Sequence, residues 1–289
     1  MKITPQKQAV IIASFVASVL IVVKFVIGIA SSSIAVLASA IDSLLDLLAS
    51  LFNLFAISRS EKPADNNYNY GRGKIESLAC VIEGSIIAMS GLFIIYQSIT
   101  KLVNGENVEY LGYSIYVMLF SFIVTLCLVI YLELIAKKSG NLIVKADALH
   151  YRSDLFSNAV ILISLVVIHF SGFVFIDSIL GFCVGVYIVY SAYSLIRDGV
   201  FILLDKALSN ELVNQVKIIL ENEKDVIAYH ALKTRQSGEI YFVEVHLELD
   251  PKISLYNAHL IADTIEKKIM SLEGKWEVIT HLDPFGEDD

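Results

Sequence analysis

Asp42 and Asp46 interrupt one apolar run, 33–57, and His150 and Asp154 interrupt another, 142–167. The members of each pair are four residues apart. On a helix that spacing puts both side chains on one face, about 6 Å apart along the axis. Three carboxylates and one imidazole can then converge on a cation. Such groups are costly in a membrane. At roughly 2.5–3.5 kcal/mol per aspartate, three of them cost on the order of 9 kcal/mol. Interhelical hydrogen bonding could account for one such pair, but two pairs with one spacing point to a metal or proton site on a transport path. Three oxygens and one imidazole nitrogen suit a tetrahedral ion of intermediate character. Zn²⁺ fits best, with Fe²⁺, Co²⁺, Cd²⁺ and Mn²⁺ compatible. Mg²⁺ prefers six oxygens, and Cu⁺ would want Cys or Met nearby.

A second constellation lies toward the C-terminus. His230, His246, His259 and His281 account for four of the six histidines, and Asp283 follows closely. Together they form a candidate metal-binding set. Cys80, Cys127 and Cys183 lie in apolar segments without a CxxC pair, so they read as small hydrophobic core residues. Lys24 and Glu83 also fall within apolar runs. Glu83 is a candidate proton carrier or gate, or a partner of Lys24. Asp147 is expected to face water, and His169 to lie at an interface.

The elements that must position these residues follow from hydropathy. The chain has 289 residues, 56% of them hydrophobic, with a mean hydropathy of +0.66. Six stretches are long enough to span the hydrocarbon, at about 9–30, 33–57, 78–102, 112–136, 141–170 and 174–197. The first is too long for a signal-peptide core and lacks a cleavage pattern, so it is expected to remain as a transmembrane helix. Lys2, Lys7, Arg59, Lys62, Arg72, Lys74, Lys137, Lys138 and Arg197 fall on one side of the spans. Glu106 and Glu109 lie on the other, bordered only by Lys101. This asymmetry predicts cytoplasmic N- and C-termini.

Residues 207–289 hold 16 Asp+Glu and 8 Lys+Arg, against 14 and 14 in residues 1–206, so the net charge of −8 belongs to the tail. An acidic tail argues against nucleic acid as a partner and is compatible with collecting cations. The tail pattern is α-β-β-α-β, with helices on one face of a three-stranded sheet. The expected architecture is a membrane α-helical domain of six transmembrane helices, residues 1–206, followed by a small α+β domain, residues 207–289.

The six spans, the two ligand pairs and the α-β-β-α-β tail resemble the cation diffusion facilitators, nearest the bacterial zinc and ferrous-iron efflux branch. SSSIAVLASAIDSLLD, KPADNNYNYGRGKIES, KADALHYRSD, LLDKAL, LKTRQSG and HLDPF carry the likeness over nearly the whole chain. The resemblance implies a homodimer in a bacterial inner membrane that exports Zn²⁺, or Fe²⁺, Cd²⁺ or Mn²⁺, in exchange for protons by alternating access. It implies transport ligands at Asp42, Asp46, His150 and Asp154. It also implies structural Zn²⁺ held by His230, His246, His259, His281 and Asp283 in a tail of metallochaperone-like fold, and no organic cofactor. Lys74 and Asp205 match a charge interlock. A loop metal site is expected to be weak or absent, because Asp65 is kept while Tyr68 and Arg72 stand where the family carries histidines. Two other classes remain open: a membrane-anchored metal sensor and an intramembrane metallohydrolase. No HExxH or GxSxG motif supports the latter.

Overall fold

The computed structural model describes the backbone of residues 4–31, 34–104, 114–171 and 175–286. The side chains at 28, 30–31, 34–39, 42, 104, 114–118, 161–162, 164–166, 168–171 and 177 lie outside the description. The side chains of Asp42 and His169, and the loop holding Glu106 and Glu109, are therefore outside the described residues.

All six expected helices form: α1 (Pro5–Ser31), α2 (Ile34–Ser60), α3 (Lys74–Asn104), α4 (Ser114–Ser139), α5 (Leu142–Ser171) and α6 (Phe175–Leu203). Five are apolar enough over a membrane's width to cross one, and α5 is the exception among the described residues. Its 30 residues are long enough, at about 1.5 Å each. Lys145, Asp147, His150, Arg152 and Asp154 crowd its first half and lower its hydropathy. The least apolar helix thus carries two of the ligand candidates, His150 and Asp154.

Two kinds of packing hold the helical unit. Around α5, apolar side chains interlock: Ala9, Val10 and Ala13 of α1, Ala56 and Ile57 of α2, Leu128, Val129 and Leu132 of α4, and Ile143, Val144, Tyr151 and Leu155 of α5. Large hydrophobic residues such as Phe15, Leu48, Phe93 and Ile130 point outward, as a lipid-facing surface requires. Cys127 and Cys183 are also exposed, which corrects their expected place in the core. By contrast, α3 and α6 approach through glycine. A Cβ on Gly185 would sit 3.0 Å from the Gly91 carbonyl oxygen, so the two backbones nearly touch.

The start of α5 is fixed at its first three amides, all buried. The Asn141 side-chain oxygen accepts from the N–H groups of Ile143 and Val144, each at 3.1 Å. Glu76 of α3 accepts from the Leu142 N–H at 2.5 Å. These contacts satisfy buried donors at a helix N-terminus and place a carboxylate at its positive end.

The second unit comprises Ala64–Lys74 and Phe201–Asp289. It contains α7 (Asn210–Glu221), β1 (Ala228–Ser237), β2 (Ile240–Leu249), α8 (Leu255–Met270) and β3 (Lys275–Pro284), in the expected α-β-β-α-β order. Strand order is β1-β2-β3, antiparallel then parallel. On β2, Val243, Val245 and Leu247 face a core shared with Val216 and Leu220 of α7 and Ile265 and Ile269 of α8. Strand alternation sends Phe242, Glu244, His246 and Glu248 to the opposite, helix-free face. The loop from Ala64 docks on the β1–β2 turn. A Cβ on Gly73 would lie 2.6 Å from the carbonyl carbon and oxygen of Ser237. Gly73→Ala is therefore expected to cost about 1–3 kcal/mol by overpacking against backbone. Thermal unfolding of the detergent-solubilised protein should show a lower Tm than wild type.

Candidate metal centre

Helices α2 and α5 pack together and bring three predicted ligands to one point. His150 Nε2 is 3.2 Å from Asp46 Oδ1 and 3.7 Å from Asp154 Oδ2. One donor atom from each residue lies within 4.8 Å of the other two. Asp46 and His150 are mostly buried, while Asp154 is more open, at 41% side-chain exposure. Asp154 thus marks the accessible side of the cluster. Asp42 lies one turn before Asp46 on α2, but its side chain is outside the described residues. Below the cluster, the Ser50 and Tyr151 hydroxyls bond at 2.9 Å and tie α2 to α5 again. Tyr151 is only 1% exposed, so this link is shielded from solvent.

Strand register builds the second cluster. His230 of β1 pairs with His246 of β2, and His246 pairs with His281 of β3. The three histidines form one row across the sheet, with ring centroids 4.9 and 4.6 Å apart. Asp283, two residues beyond His281, projects from the same face. Its Oδ2 lies 2.9 Å from His246 Nδ1 and 3.5 Å from His230 Nε2. His230, His246 and Asp283 could hold a metal together. His281 flanks them, with Nε2 3.1 Å from the other Asp283 oxygen.

His259 does not join this row within the chain. It is on α8, whose apolar side packs on the opposite face of the sheet, and its side chain is 67% exposed. Its neighbour is Asp263, 3.8 Å away on the same helix. Glu248 was not foreseen: its Oε1 is 3.0 Å from His230 Nδ1, where it orients the ring. The available signal was its position two residues after His246 on the same strand face.

Two family descriptions match the chain: the cation efflux transmembrane domain over residues 10–204 and the cation efflux protein cytoplasmic domain over residues 208–285. The chain belongs to the cation efflux family. Cation-efflux pump FieF of Yersinia enterocolitica is 35% identical over 278 residues, covering 96% of this chain and 92% of that protein. FieF of Klebsiella pneumoniae is 35% identical over 277 residues with the same coverage. Among solved structures, the metal-bound C-terminal domain of the CzcD transporter from Thermotoga maritima is 26% identical. It covers 28% of this chain and all of that one, at a TM-score of 0.27. The protein is a membrane transporter for metal cations rather than an enzyme.

In this cation efflux protein, Asp65 is fully engaged without an ion. Arg72 Nη2 donates to its Oδ2 at 2.6 Å, and the Asn67 and Tyr68 amides donate to Oδ1, each at 3.0 Å. The guanidinium also stacks over the Tyr68 ring, 4.2 Å from its centre. The Arg72 hydrogen bond, followed by the Asn67 amide, holds the Asp65 carboxyl below its ordinary range.

Lys74 and Asp205 do meet, with Nζ 2.9 Å from the carboxylate. Asp205 has φ 53, and Lys206 donates back to Phe201 O at 2.9 Å. It therefore caps α6 in the left-handed conformation that aspartate tolerates better than most residues. Lys74 also reaches the Leu203 carbonyl at 3.4 Å, a cation at a helix C-terminus.

The Asp65–Arg72 pair carries a pH prediction. A depressed carboxyl favours the folded loop at pH above the ordinary aspartate value of 3.8 and loses that contribution as pH falls through its own lower value. The pair is thus intact at neutral pH and breaks only in acid. Arg72→Ala should move the Asp65 titration upward, toward 3.8. Carboxyl ¹³C NMR on aspartate-labelled protein, assigned with Asp65→Asn, measures this shift.

Proposed function

We propose that this transporter exchanges a cytoplasmic divalent cation, Zn²⁺ foremost, for protons by alternating access. The observation that carries the proposal is the convergence of Asp46, His150 and Asp154 on two packed helices of a membrane domain. Tetrahedral ligands at about 2.0–2.1 Å from an ion are about 3.3–3.4 Å apart. The 3.2 and 3.7 Å separations bracket that spacing, so a cation needs little rearrangement. Asp42 supplies the fourth ligand from the same face of α2. The donor set favours Zn²⁺ and admits Fe²⁺, Cd²⁺ and Mn²⁺.

Coupling to protons follows from the ligand chemistry. Ligation requires a neutral imidazole, so loading the cation expels protons. When the cation leaves outward, His150 between two carboxylates accepts a proton. One site then serves both substrates in turn. Tilting of α2 and α5 together would expose it to either side.

The positive-inside pattern supports cytoplasmic termini, and the likeness to bacterial cation-efflux pumps supports residence in the inner membrane of a bacterium. We assign the protein as a homodimer. His259 supports this: it is exposed and excluded from its own histidine row, so it can serve such a row only in another copy. His230, His246 and Asp283 would hold structural Zn²⁺ on the open sheet face, with His281 and Glu248 alongside. The Asp65 loop takes no ion, because Arg72 occupies the carboxylate.

Metal-dependent proton flux in proteoliposomes tests the exchange. Asp46→Ala and Asp154→Ala should each lower it about 100-fold or more while the protein elutes as wild type from size exclusion. Full flux in either variant would refute the assignment. On the Asp46→Ala background, His246→Ala should reduce the zinc retained per chain, measured by elemental mass spectrometry.

A further inference from the structure

A second polar cluster lies deeper in the bundle and is not used by the exchange just described. Asp147 of α5, Asn53 of α2 and Glu83 of α3 are 0%, 0% and 4% exposed. The burial of Asp147 corrects its expected contact with water. The Asn53 amide donates to Asp147 Oδ1 at 3.3 Å and also neighbours the Glu83 carboxylate. The remaining acceptors are left over: both Glu83 carboxylate oxygens, Asp147 Oδ2 and Asn53 Oδ1 have no hydrogen-bond partner. These four unsatisfied atoms are all oxygen acceptors, on three residues from three helices. Neither carboxylate forms an ion pair with a lysine or arginine among the described residues. Buried acceptors of this kind are unfavourable unless a cation, a proton or a hydrogen-bond donor joins them.

The position of the cluster is also informative. Asp147 precedes His150 by three residues in α5, and Asn53 follows Asp46 by seven in α2. At about 1.5 Å per residue, the cluster lies roughly 5–10 Å from the Asp46–His150 contact. The displacement is toward the helix ends that the loop charges assign to the cytoplasm.

We infer that Glu83, Asp147 and Asn53 form a second cation position, built only of oxygen, through which the divalent ion passes on its way from the cytoplasm to Asp46, His150 and Asp154. It suits a hard or borderline divalent ion and has no imidazole to hold that ion tightly. Its weaker grip lets the ion move on to the nitrogen-containing site. Ser50 falls between Asp46 and Asn53 on α2, so its hydrogen bond with Tyr151 borders the step from one position to the other. This inference rests on the antiport reading for its direction, but not for the existence of the site.

Two measurements on the full-length protein test it. In proteoliposomes, Glu83→Gln should raise the metal KM about tenfold and leave Vmax within about twofold. Asp147→Asn should act in the same direction, and the double variant should raise KM no further than the larger single effect, because both remove one site. An unchanged KM in a folded Glu83→Gln protein overturns the inference. So does a change confined to the pH profile of flux, which would mean that the carboxylates share a proton instead. If Glu83→Gln does not fold, Asp147→Asn decides by the same criteria. Independently of flux, Mn²⁺ binding followed by electron paramagnetic resonance on the Asp46→Ala background should show one fewer oxygen-coordinated ion per chain when Glu83→Gln is added. Equal Mn²⁺ counts overturn the site. Loss of this ion without any wild-type proton flux would instead uphold the site and remove the antiport reading.

Discussion

Ionisable side chains inside a hydrocarbon-bounded helical unit must compensate one another. The rest of the membrane unit is arranged around that constraint. Asp46, His150 and Asp154 meet because each is costly alone and less so in company. Their meeting requires α2 and α5 to be adjacent in one register. The hydrophobic interlock of α1, α2, α4 and α5 supplies the adjacency. The Ser50–Tyr151 bond and the caps from Asn141 and Glu76 supply the register. The charges that make α5 unlike its neighbours are thus the reason for the polar supports around it. Removing a cap would act on the ligands by rotating or sliding the helix that bears two of them.

In the second unit, backbone register does comparable work. A row of three histidines exists only because β1 pairs antiparallel and β2–β3 parallel at the observed offsets. A one-residue slip in any strand would turn its histidine into the apolar core. The irregularity between His230 and Lys233, with Ala231 at φ 50, lets β1 keep both its histidine and its later pairing in place. The open face is polar where the row sits, while Arg235 stacks on Phe242 and Tyr70 elsewhere on the same unit. Metal-binding capacity and loop docking therefore share one sheet surface.

Much of this was legible in the sequence, for specific reasons. The i, i+4 pairs were visible because helical periodicity is local, and the tail elements were visible because their apolar alternation is strong. The partnership of His150 with Asp46 could be proposed from chemistry alone. Other features depended on long-range contact. Asp147 looked like a residue near water because its position along α5 says nothing of what α2 and α3 place beside it. Glu83 looked ambiguous for the same reason. Counting histidines put His259 in the same set but could not show that α8 holds it away from the row within one chain. Glu248 could have been found by alternation from His246, but an acidic residue in an acidic tail does not stand out.

The loop from Ala64 to Lys74 shows how a local substitution changes the kind of constraint. A loop held by a bound ion would depend on that ion's concentration. In this chain Arg72 pairs with Asp65 and stacks on Tyr68, and the next residue, Gly73, presses on the β1–β2 turn. A guanidinium belonging to the chain is always present and always charged near neutral pH. The Asp65 carboxylate is therefore paired by a charge of the chain itself, while the histidine row presents a set of potential metal ligands. The loop supplies a fixed contact, held by a pair too exposed to be worth much alone but reinforced by stacking, two backbone amides and a close glycine approach.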